Sequence, residues 1–323
     1  MIEFNNTYPK EDKIQELHRE VTKKLEVNNN MTSISRLFFT NSGTSGIVLM
    51  MDALDYYLPG MLVAFPSYYH ISAFTRFNKF LEMYIDIDPD FPVLTLENVI
   101  RAYEEQKFDA LFFTEIHGYM GEIDKIKEFC DMKNILLIED SAPSILQPNA
   151  GSYGDFSIFS FSKTKNISLN GGGMLIVNES LFKKVEKIKK EKAQGIIDYI
   201  EDMMVLKDKK NEWFYITNMD YNPWLLKELI KKIDNFPRER LKKLYNSITN
   251  PKFVKDGDNY ALNNIFIKGS EELEKRLKLF KIPFKKDVHK AKYVNSKKFQ
   301  QNHFLLPFNE NLTERDIKLY NLL

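Results

Sequence analysis

The sequence has almost no cysteine and no long apolar run, and both shortages narrow the class of protein. Cys130 is the only cysteine among 323 residues, so no disulfide can form within the chain, and a reducing cytoplasm is the expected location. Its place in the apparent helix EIDKIKEFCDM predicts a buried structural thiol. No apolar segment approaches the roughly 20 residues that cross a bilayer, and the N-terminus has no apolar core of signal-peptide length. We therefore expect a cytoplasmic protein without a membrane partner.

The basic and acidic residues are balanced, and two common nucleotide-binding motifs are missing. The 46 basic residues nearly match the 45 acidic ones and leave a net charge of +1, so nucleic acid is not an expected partner. The lysine-rich runs at residues 184–194 and 285–298 are expected to be solvated faces. Neither GxGxxG nor a loop ending in GK[ST] occurs, which argues against a nucleotide-dependent dehydrogenase. No metal site is predicted.

Short apolar runs alternate with helical stretches after a predicted amphipathic helix over residues 10–27. Their flat hydrophobicity suits strands that are buried on both faces of a largely parallel sheet. We predict an α/β fold with a seven-stranded, mostly parallel sheet in a large domain over residues 1–200. The predicted strands are 37–40, 62–65, 81–85, 110–114, 135–138, 156–160 and 174–177.

The strand signal fades after residue 177. Lysine-rich helical spacing over residues 181–247 predicts connecting helices, and a smaller α+β domain completes residues 201–323. In that domain we predict strands at 260–267 and 305–307 and a helix at 270–280. A last helix is expected to open at Thr313, because Asp316 three residues later forms a capping-box-like pair with it.

Three segments place chemistry-bearing residues at strand ends. NSGTSG at 41–46 opens a helix whose free N–H groups suit a phosphate, although about half of such turns are only tight connections. ILLIEDSAP at 135–143 ends a strand in two carboxylates, where α/β ligand sites form; Glu139 alone is expected to be a solvent-facing or paired acid. GDFSIFSFSKTKNISLNGGG at 154–173 holds two lysines beside serines and glycines that permit close backbone approach; a surface lysine pair is the simpler interpretation.

In order and spacing these segments resemble the DegT/DnrJ/EryC1/StrS family of sugar aminotransferases. The family's SGT turn resembles residues 42–45, and its P-S-aromatic stretch resembles PSYYH at 66–70. Its IED strand end matches 138–140, and its GD-x-x-x-FSF-x-x-TK signature matches 154–165. The resemblance covers residues 37–178 well. It implies the aspartate-aminotransferase fold (fold type I) and the cofactor pyridoxal 5'-phosphate (PLP).

The resemblance implies two catalytic residues. Lys165, which follows Thr164, would hold PLP as a Schiff base and then act as general acid and base, while Lys163 would be a bystander. Asp140 would keep the pyridine nitrogen protonated, so that the ring can accept electrons.

Further cofactor contacts are implied in the same way. The phosphate would lie on the N–H groups of Gly43 and Thr44, with a hydroxyl from Ser160. His70 would lie on the ring face, a place that Tyr68 or Tyr69 could take instead. Asn222 would reach the phosphate of a neighbouring subunit, which implies a homodimer with composite active sites.

Other histidines and tyrosines receive different interpretations. His117 matches a family histidine near the substrate mouth, and Tyr69 is a second candidate substrate residue. His18, His289 and His303 have no such context and are expected to lie on the surface.

Departures from the family pattern leave the reaction open. The family has Gln three residues after the ring-nitrogen aspartate, where it can hydrogen-bond the ring oxygen, but here Pro143 has no donor. We expect amino transfer from an amino acid, with L-glutamate favoured, to a nucleotide-linked keto-sugar. Another PLP reaction, such as elimination or decarboxylation, is the alternative. A degenerate binding protein is disfavoured because Lys165, Asp140 and Ser160 are retained together.

Overall fold

The computed structural model describes residues 11–69, 80–184, 190–205, 223–286, 290–291 and 293–323. Helices and strands alternate over most of this part of the chain. The helices are α1 (Glu11–Asn29), α2 (Gly43–Tyr57), α3 (Leu96–Glu105), α4 (Ile123–Met132), α5 (Ser180–Lys183), α6 (Lys190–Val205), α7 (Pro223–Asp234), α8 (Arg238–Asn246), α9 (Glu271–Leu279), α10 (Val294–Asn302) and α11 (Glu314–Leu322). The strands are β1 (Ile34–Thr40), β2 (Leu62–Pro66), β3 (Tyr68–Tyr69), β4 (Leu81–Ile85), β5 (Ala110–Thr114), β6 (Leu136–Asp140), β7 (Phe156–Ser160), β8 (Gly173–Asn178), β9 (Asn264–Lys268), β10 (Lys285–Lys286), β11 (Lys290–Ala291) and β12 (His303–Pro307).

A seven-stranded sheet forms the centre of the molecule, in the order β1-β8-β7-β6-β5-β2-β4. Strands β4, β2, β5, β6 and β7 pair in parallel, whereas β8 runs antiparallel to both of its neighbours. The predicted α/β fold with its mostly parallel sheet is confirmed. Several strand ends differ from the prediction: β1 begins at Ile34 and not at residue 37, and β6 continues past residue 138 through Glu139 to Asp140.

The two faces of this sheet are covered by different elements. Side chains alternate along a strand, so successive residues of β5, β6 and β7 enter different apolar clusters. Phe112, Ile138 and Ile158 pack with α2 and α6, whereas Phe113, Leu137 and Phe159 pack into the larger cluster on the other face. The same alternation places Thr114, Asp140 and Ser160 on the α2 face and Glu139 on the opposite face.

A smaller antiparallel sheet, in the order β10-β12-β9, lies in the C-terminal part. Its strands begin at Asn264 and His303, not at residues 260 and 305 as predicted. The capping box at α11 is confirmed, because Asp316 N–H donates to Thr313 Oγ1 (3.3 Å) and Thr313 N–H donates to Asp316 Oδ2 (2.8 Å). The domain boundary near residue 200 stays a prediction. Of the helices described, none is both long and apolar enough to cross a membrane.

Several side chains lie deeper than their sequence context indicates. His303 was expected on the surface but is 1% exposed, with its ring stacked on Phe299 at 4.1 Å. Lys184 was expected in a solvated face but is buried, with its Nζ 2.7 Å from Asp155. Cys130 is buried as predicted, and burial raises its thiol pKa to about 12.

The two other histidines without a predicted role have different outcomes. His18 is half-buried and meets the ring of Phe39 edge-on at 5.0 Å, so the surface prediction is wrong for it as well. His289 lies outside the described residues.

Candidate active site

The start of α2 is a backbone site suited to an anion. Ser42, in extended conformation, is the N-cap, and its Oγ accepts a hydrogen bond from the N–H of Ser45 at 3.1 Å. None of the described residues accepts a hydrogen bond from the N–H of Thr44. Free N–H groups in the first turn, together with the helix dipole, favour a negative charge there. The geometry therefore agrees with a phosphate site at this turn.

Glycines bring this turn against the ends of two strands. A Cβ at Gly43 would lie 3.1 Å from Cβ of Ser160, the last residue of β7. A Cβ at Gly173 would lie 2.3 Å from the carbonyl carbon of Ser42. Any side chain at Gly173 would therefore collide with backbone, which explains why the chain has glycine where β8 begins. As a result, the Ser160 side chain lies next to the first residue of α2.

We expect Gly43→Ala to weaken PLP binding by about 10-fold, because the added methyl group must displace Ser160 or the turn. The cofactor-free protein should melt close to wild type, since alanine is well tolerated in the first turn of a helix. Gly46→Ala is the matched control, because its Cβ would be 3.4 Å from Leu175, an ordinary contact. Equilibrium titration with PLP measures both. Unchanged affinity in Gly43→Ala would argue against a phosphate at this turn.

Lys165 lies in the turn after β7 and reaches the same edge of the sheet. Burial lowers the pKa of its ammonium group, and the nearby Asp140 opposes that shift. Lys163, in contrast, is exposed. An amine with a lowered pKa is more often unprotonated and therefore nucleophilic. Of the two lysines, only Lys165 has the surroundings of a reactive amine.

The residue after the lysine fixes this turn to the C-terminal part of the chain. No role was predicted for Asn166 from the sequence. Its N–H donates to Asn263 Oδ1 at 3.2 Å, and its Nδ2 donates to the carbonyl of Ala261 at 3.0 Å. These bonds hold the backbone beside Lys165. The only signal in the sequence was the asparagine next to the lysine, which by itself indicates nothing.

Asp140 ends β6, between β5 and β7, and is 5% exposed. Its Oδ1 accepts the N–H of Ala142 at 3.2 Å, and its parallel neighbours are Thr114 on β5 and Ile158 on β7. A carboxylate, an amine and an anion site thus share one edge of the sheet. The three fit the ring nitrogen, the aldehyde and the phosphate of PLP, so the residues present suit this cofactor.

A pair of buried carboxyl groups, Glu139 and Glu115, lies on the face of the sheet opposite to Asp140. Glu139 is fully buried and accepts N–H bonds from Gly151 (2.6 Å), Tyr153 (2.9 Å) and Gly154 (2.7 Å). It is therefore not solvent-facing. The Ser141 hydroxyl lies 3.1 Å from Glu139 Oε1 and 3.0 Å from Glu115 Oε1.

Glu115 is the second member of this pair and was not singled out from the sequence. Burial raises its pKa well above the ordinary glutamate value, and the neighbouring Glu139 raises it further. The raised pKa favours the protonated form of Glu115, while three backbone N–H groups donate to the Glu139 carboxyl group. Only the adjacency of β5 and β6 brings them together, so no local motif could have revealed the pair.

The remaining predicted site residues have mixed outcomes. His117 has a left-handed φ of 54°, its ring meets Phe266 edge-on at 5.4 Å, and its Nδ1 is 3.2 Å from Asn264 Nδ2. It therefore faces β9, and its substrate role stays a prediction. Tyr69 is buried and stacks on Tyr84 of β4 at 6.2 Å, so its role also stays a prediction. His70 and Asn222 lie outside the described residues.

A cleft of about 390 Å³ opens at the opposite edge of the sheet. Met61, Asp109 and Leu136, which line it, stand at the amino ends of β2, β5 and β6. Ligands of open α/β sheets bind at the carboxyl ends. The cleft is therefore separate from the candidate active site, and Lys184 and Lys192, which also line it, are remote from Lys165.

Comparisons with known proteins identify the family to which the chain belongs. Residues 5–209 match the DegT/DnrJ/EryC1/StrS aminotransferase family. The dTDP-4-dehydro-2,3,6-trideoxy-D-glucose 4-aminotransferase of Saccharopolyspora spinosa is 32% identical over 145 residues, 43% of this chain and 37% of that protein. The GDP-perosamine synthase of Vibrio cholerae is 27% identical over 163 residues, 49% of this chain and 43% of that protein. The matched part of this chain thus spans less than half the length of these curated relatives.

Solved structures show the same fold over nearly the whole chain. A 3-amino-5-hydroxybenzoic acid synthase superposes with a TM-score of 0.69 at 15% identity, covering 96% of this chain and 94% of that one. A DegT/DnrJ/EryC1/StrS aminotransferase from Brucella abortus gives 0.69 at 15% identity, covering 96% and 93%. Identity this low shows the fold alone, while the family match covers more than half of the chain. The chain therefore belongs to the DegT/DnrJ/EryC1/StrS aminotransferase family, and this membership implies PLP as its cofactor.

Proposed function

We propose that the protein is a PLP-dependent aminotransferase that moves an amino group from an amino acid, with L-glutamate as the expected donor, to a nucleotide-linked keto-sugar. The observation that carries this proposal is the half-buried Lys165, with its lowered pKa, beside Asp140 at the carboxyl edge of the sheet. An adjacent helix start without acceptors for the Thr44 amide supports a phosphate-bearing cofactor there.

Each residue has a defined task in this proposal. PLP, when bound, supplies a ring that accepts the electron pair left on the substrate carbon. Asp140 holds a proton on the ring nitrogen, since its carboxylate favours the positive charge there. Lys165 Nζ would hold the cofactor and then move a proton from the substrate carbon to the cofactor carbon that is bound to the amino nitrogen. Gly43, Thr44 and Ser160 hold the phosphate.

The sugar substrate is inferred from relatives. Their names place them on dTDP-, GDP- and UDP-linked sugars, which supports a nucleotide-linked acceptor here. A homodimer, in which Asn222 contacts the phosphate of the neighbouring subunit, belongs to the same proposal.

The proposal is tested by incubating the PLP-loaded protein with L-glutamate and a panel of dTDP-, GDP- and UDP-linked keto-sugars. With the donor alone we expect at most one 2-oxoglutarate per active site; with donor and acceptor together we expect many turnovers of 2-oxoglutarate and an amino-sugar nucleotide, detected by mass spectrometry. Release of ammonia or carbon dioxide from the amino acid without an acceptor would instead indicate elimination or decarboxylation. A protein that binds PLP but exchanges no amino group with any amino acid would refute amino transfer.

A further inference from the structure

The order of the sheet strands determines which side of the PLP ring faces which strand. In the proposed placement, the phosphate lies at the start of α2 beside Ser160 of β7, and the ring nitrogen lies at Asp140 of β6. In PLP, the phosphate arm and the phenolic oxygen are attached on opposite sides of the line from the ring nitrogen to the aldehyde carbon. Because β5 flanks β6 on the side away from β7, the phenolic oxygen falls on the β5 side.

Thr114 is the last residue of β5, where that oxygen would lie. It is the parallel register partner of Asp140, one strand spacing away, so both side chains point to the α2 face. Thr114 is 6% exposed, and its Oγ1 has no hydrogen-bond partner among the described residues. A buried hydroxyl without a partner is unfavourable. We infer that a ligand bound beside Asp140 supplies the missing hydrogen-bond partner of this hydroxyl.

Position 143, three residues after the proposed ring-nitrogen partner Asp140, offers no donor for the phenolic oxygen. Pro143, three residues after Asp140, has neither an N–H nor a polar side chain. The matching position in the resembling family carries a Gln donor. A donor from the neighbouring strand β5 would replace it.

We propose that Thr114 is a cofactor-binding residue whose hydroxyl donates a hydrogen bond to the phenolic oxygen of PLP. The proposal rests on the placement of PLP by Lys165 and Asp140. That bond stabilises negative charge on the oxygen. The negative charge on that oxygen favours the protonated form of the nitrogen that joins Lys165 to the cofactor. A hydrogen bond that disperses this charge therefore lowers the pKa of that nitrogen.

The test compares Thr114→Val, Thr114→Ser and wild type, with Thr22→Val as a matched control in α1, where Thr22 Oγ1 donates to the His18 carbonyl. Three quantities are measured: the melting temperature of the cofactor-free protein, the PLP dissociation constant, and the pH midpoint of the absorbance change of the bound cofactor. We expect Thr114→Val to melt at or above wild type, to bind PLP about 10-fold more weakly and to shift the midpoint to higher pH. Thr114→Ser and Thr22→Val should bind PLP like wild type.

Three outcomes would overturn the inference. Wild-type affinity and an unmoved midpoint in Thr114→Val would show that the hydroxyl does not contact the cofactor, while the proposed function would stand. A Thr114→Val protein that melts below wild type without its cofactor would show that the hydroxyl has a partner within the protein. Wild-type protein that fails to bind PLP would overturn this inference and the proposed function together.

Discussion

Lys165→Ala is expected to lower the rate of amino transfer by at least about 1,000-fold, because the variant loses both the nucleophile and the general base. The visible absorption of the bound cofactor should also change, since no amine remains to condense with its aldehyde. The fold should persist, because the Lys165 side chain is half-buried in a turn and Asp140 still accepts the N–H of Ala142 in the variant. Amino-sugar formation under saturating donor and acceptor measures the effect.

Lys163→Ala is the matched control for this prediction. Lys163 is two residues earlier in the same turn, but its side chain is exposed, so amino transfer should stay within about threefold of wild type. Equal losses in the two variants would mean that the turn as a whole matters and that Lys165 has no special role. Full activity in Lys165→Ala would remove the catalytic assignment.

Glu139→Gln is expected to lower the free energy of unfolding by about 3–5 kcal/mol, whereas Glu115→Gln should change it by less than about 1 kcal/mol. The asymmetry follows from the buried pair. Glu139 accepts three backbone N–H bonds in the loop at 151–154, and an amide group would turn donors toward those donors. Glu115 accepts none of these backbone bonds and its raised pKa favours the protonated form, so glutamine replaces it with little change in charge.

The same pair predicts a pH dependence with a definite sign. In the unfolded chain Glu115 titrates near the ordinary glutamate value of about 4.3, but in the folded protein burial and Glu139 keep its pKa well above that. Between about pH 4.3 and the folded pKa, Glu115 is protonated in the folded state but ionised in the unfolded state. The free energy of unfolding therefore falls as the pH rises through this range. Glu115→Gln removes this loss.

Urea unfolding of the cofactor-free variants between about pH 5 and pH 8 checks both statements. We expect Glu115→Gln to show a flatter stability profile than wild type and to gain relative stability at the alkaline end. A profile parallel to that of wild type would contradict a raised pKa for Glu115. Equal destabilisation by the two glutamine variants would contradict the claim that the backbone N–H bonds to Glu139 make it the more important of the two for stability.

Local patterns in the sequence predicted most of the fold, because strands buried on both faces need continuous apolar runs. The pattern failed where the strand carries polar groups. The predicted strand stopped at residue 138, because Glu139 and Asp140 interrupt the apolar run, whereas β6 in the structure extends to Asp140. Departures of this kind are expected at functional sites, where charged side chains replace apolar ones.

Contacts between distant segments were beyond the reach of the sequence pattern. Glu115 became visible as a buried acid only once β5 was known to lie beside β6. Likewise, Asn166 acts through residues 261–263, almost one hundred positions later. His303 was taken for a surface residue because nothing near it in sequence shows that β12 pairs with β9, whose Phe266 ring it meets edge-on at 6.3 Å. The spatial grouping of Lys165, Asp140, Gly43 and Ser160, in contrast, agrees with their predicted association, although their individual roles stay proposals.

The central claim is that Lys165 carries the cofactor, and borohydride reduction of the PLP-loaded wild-type protein tests it most directly. Reduction fixes the cofactor covalently to the amine that holds it, and peptide mapping by mass spectrometry then locates the added mass. We predict that the label is on Lys165 and that Lys163 in the same peptide is unmodified. A label confined to Lys163 or to any other lysine, or a colourless protein that takes up no PLP, would contradict the account.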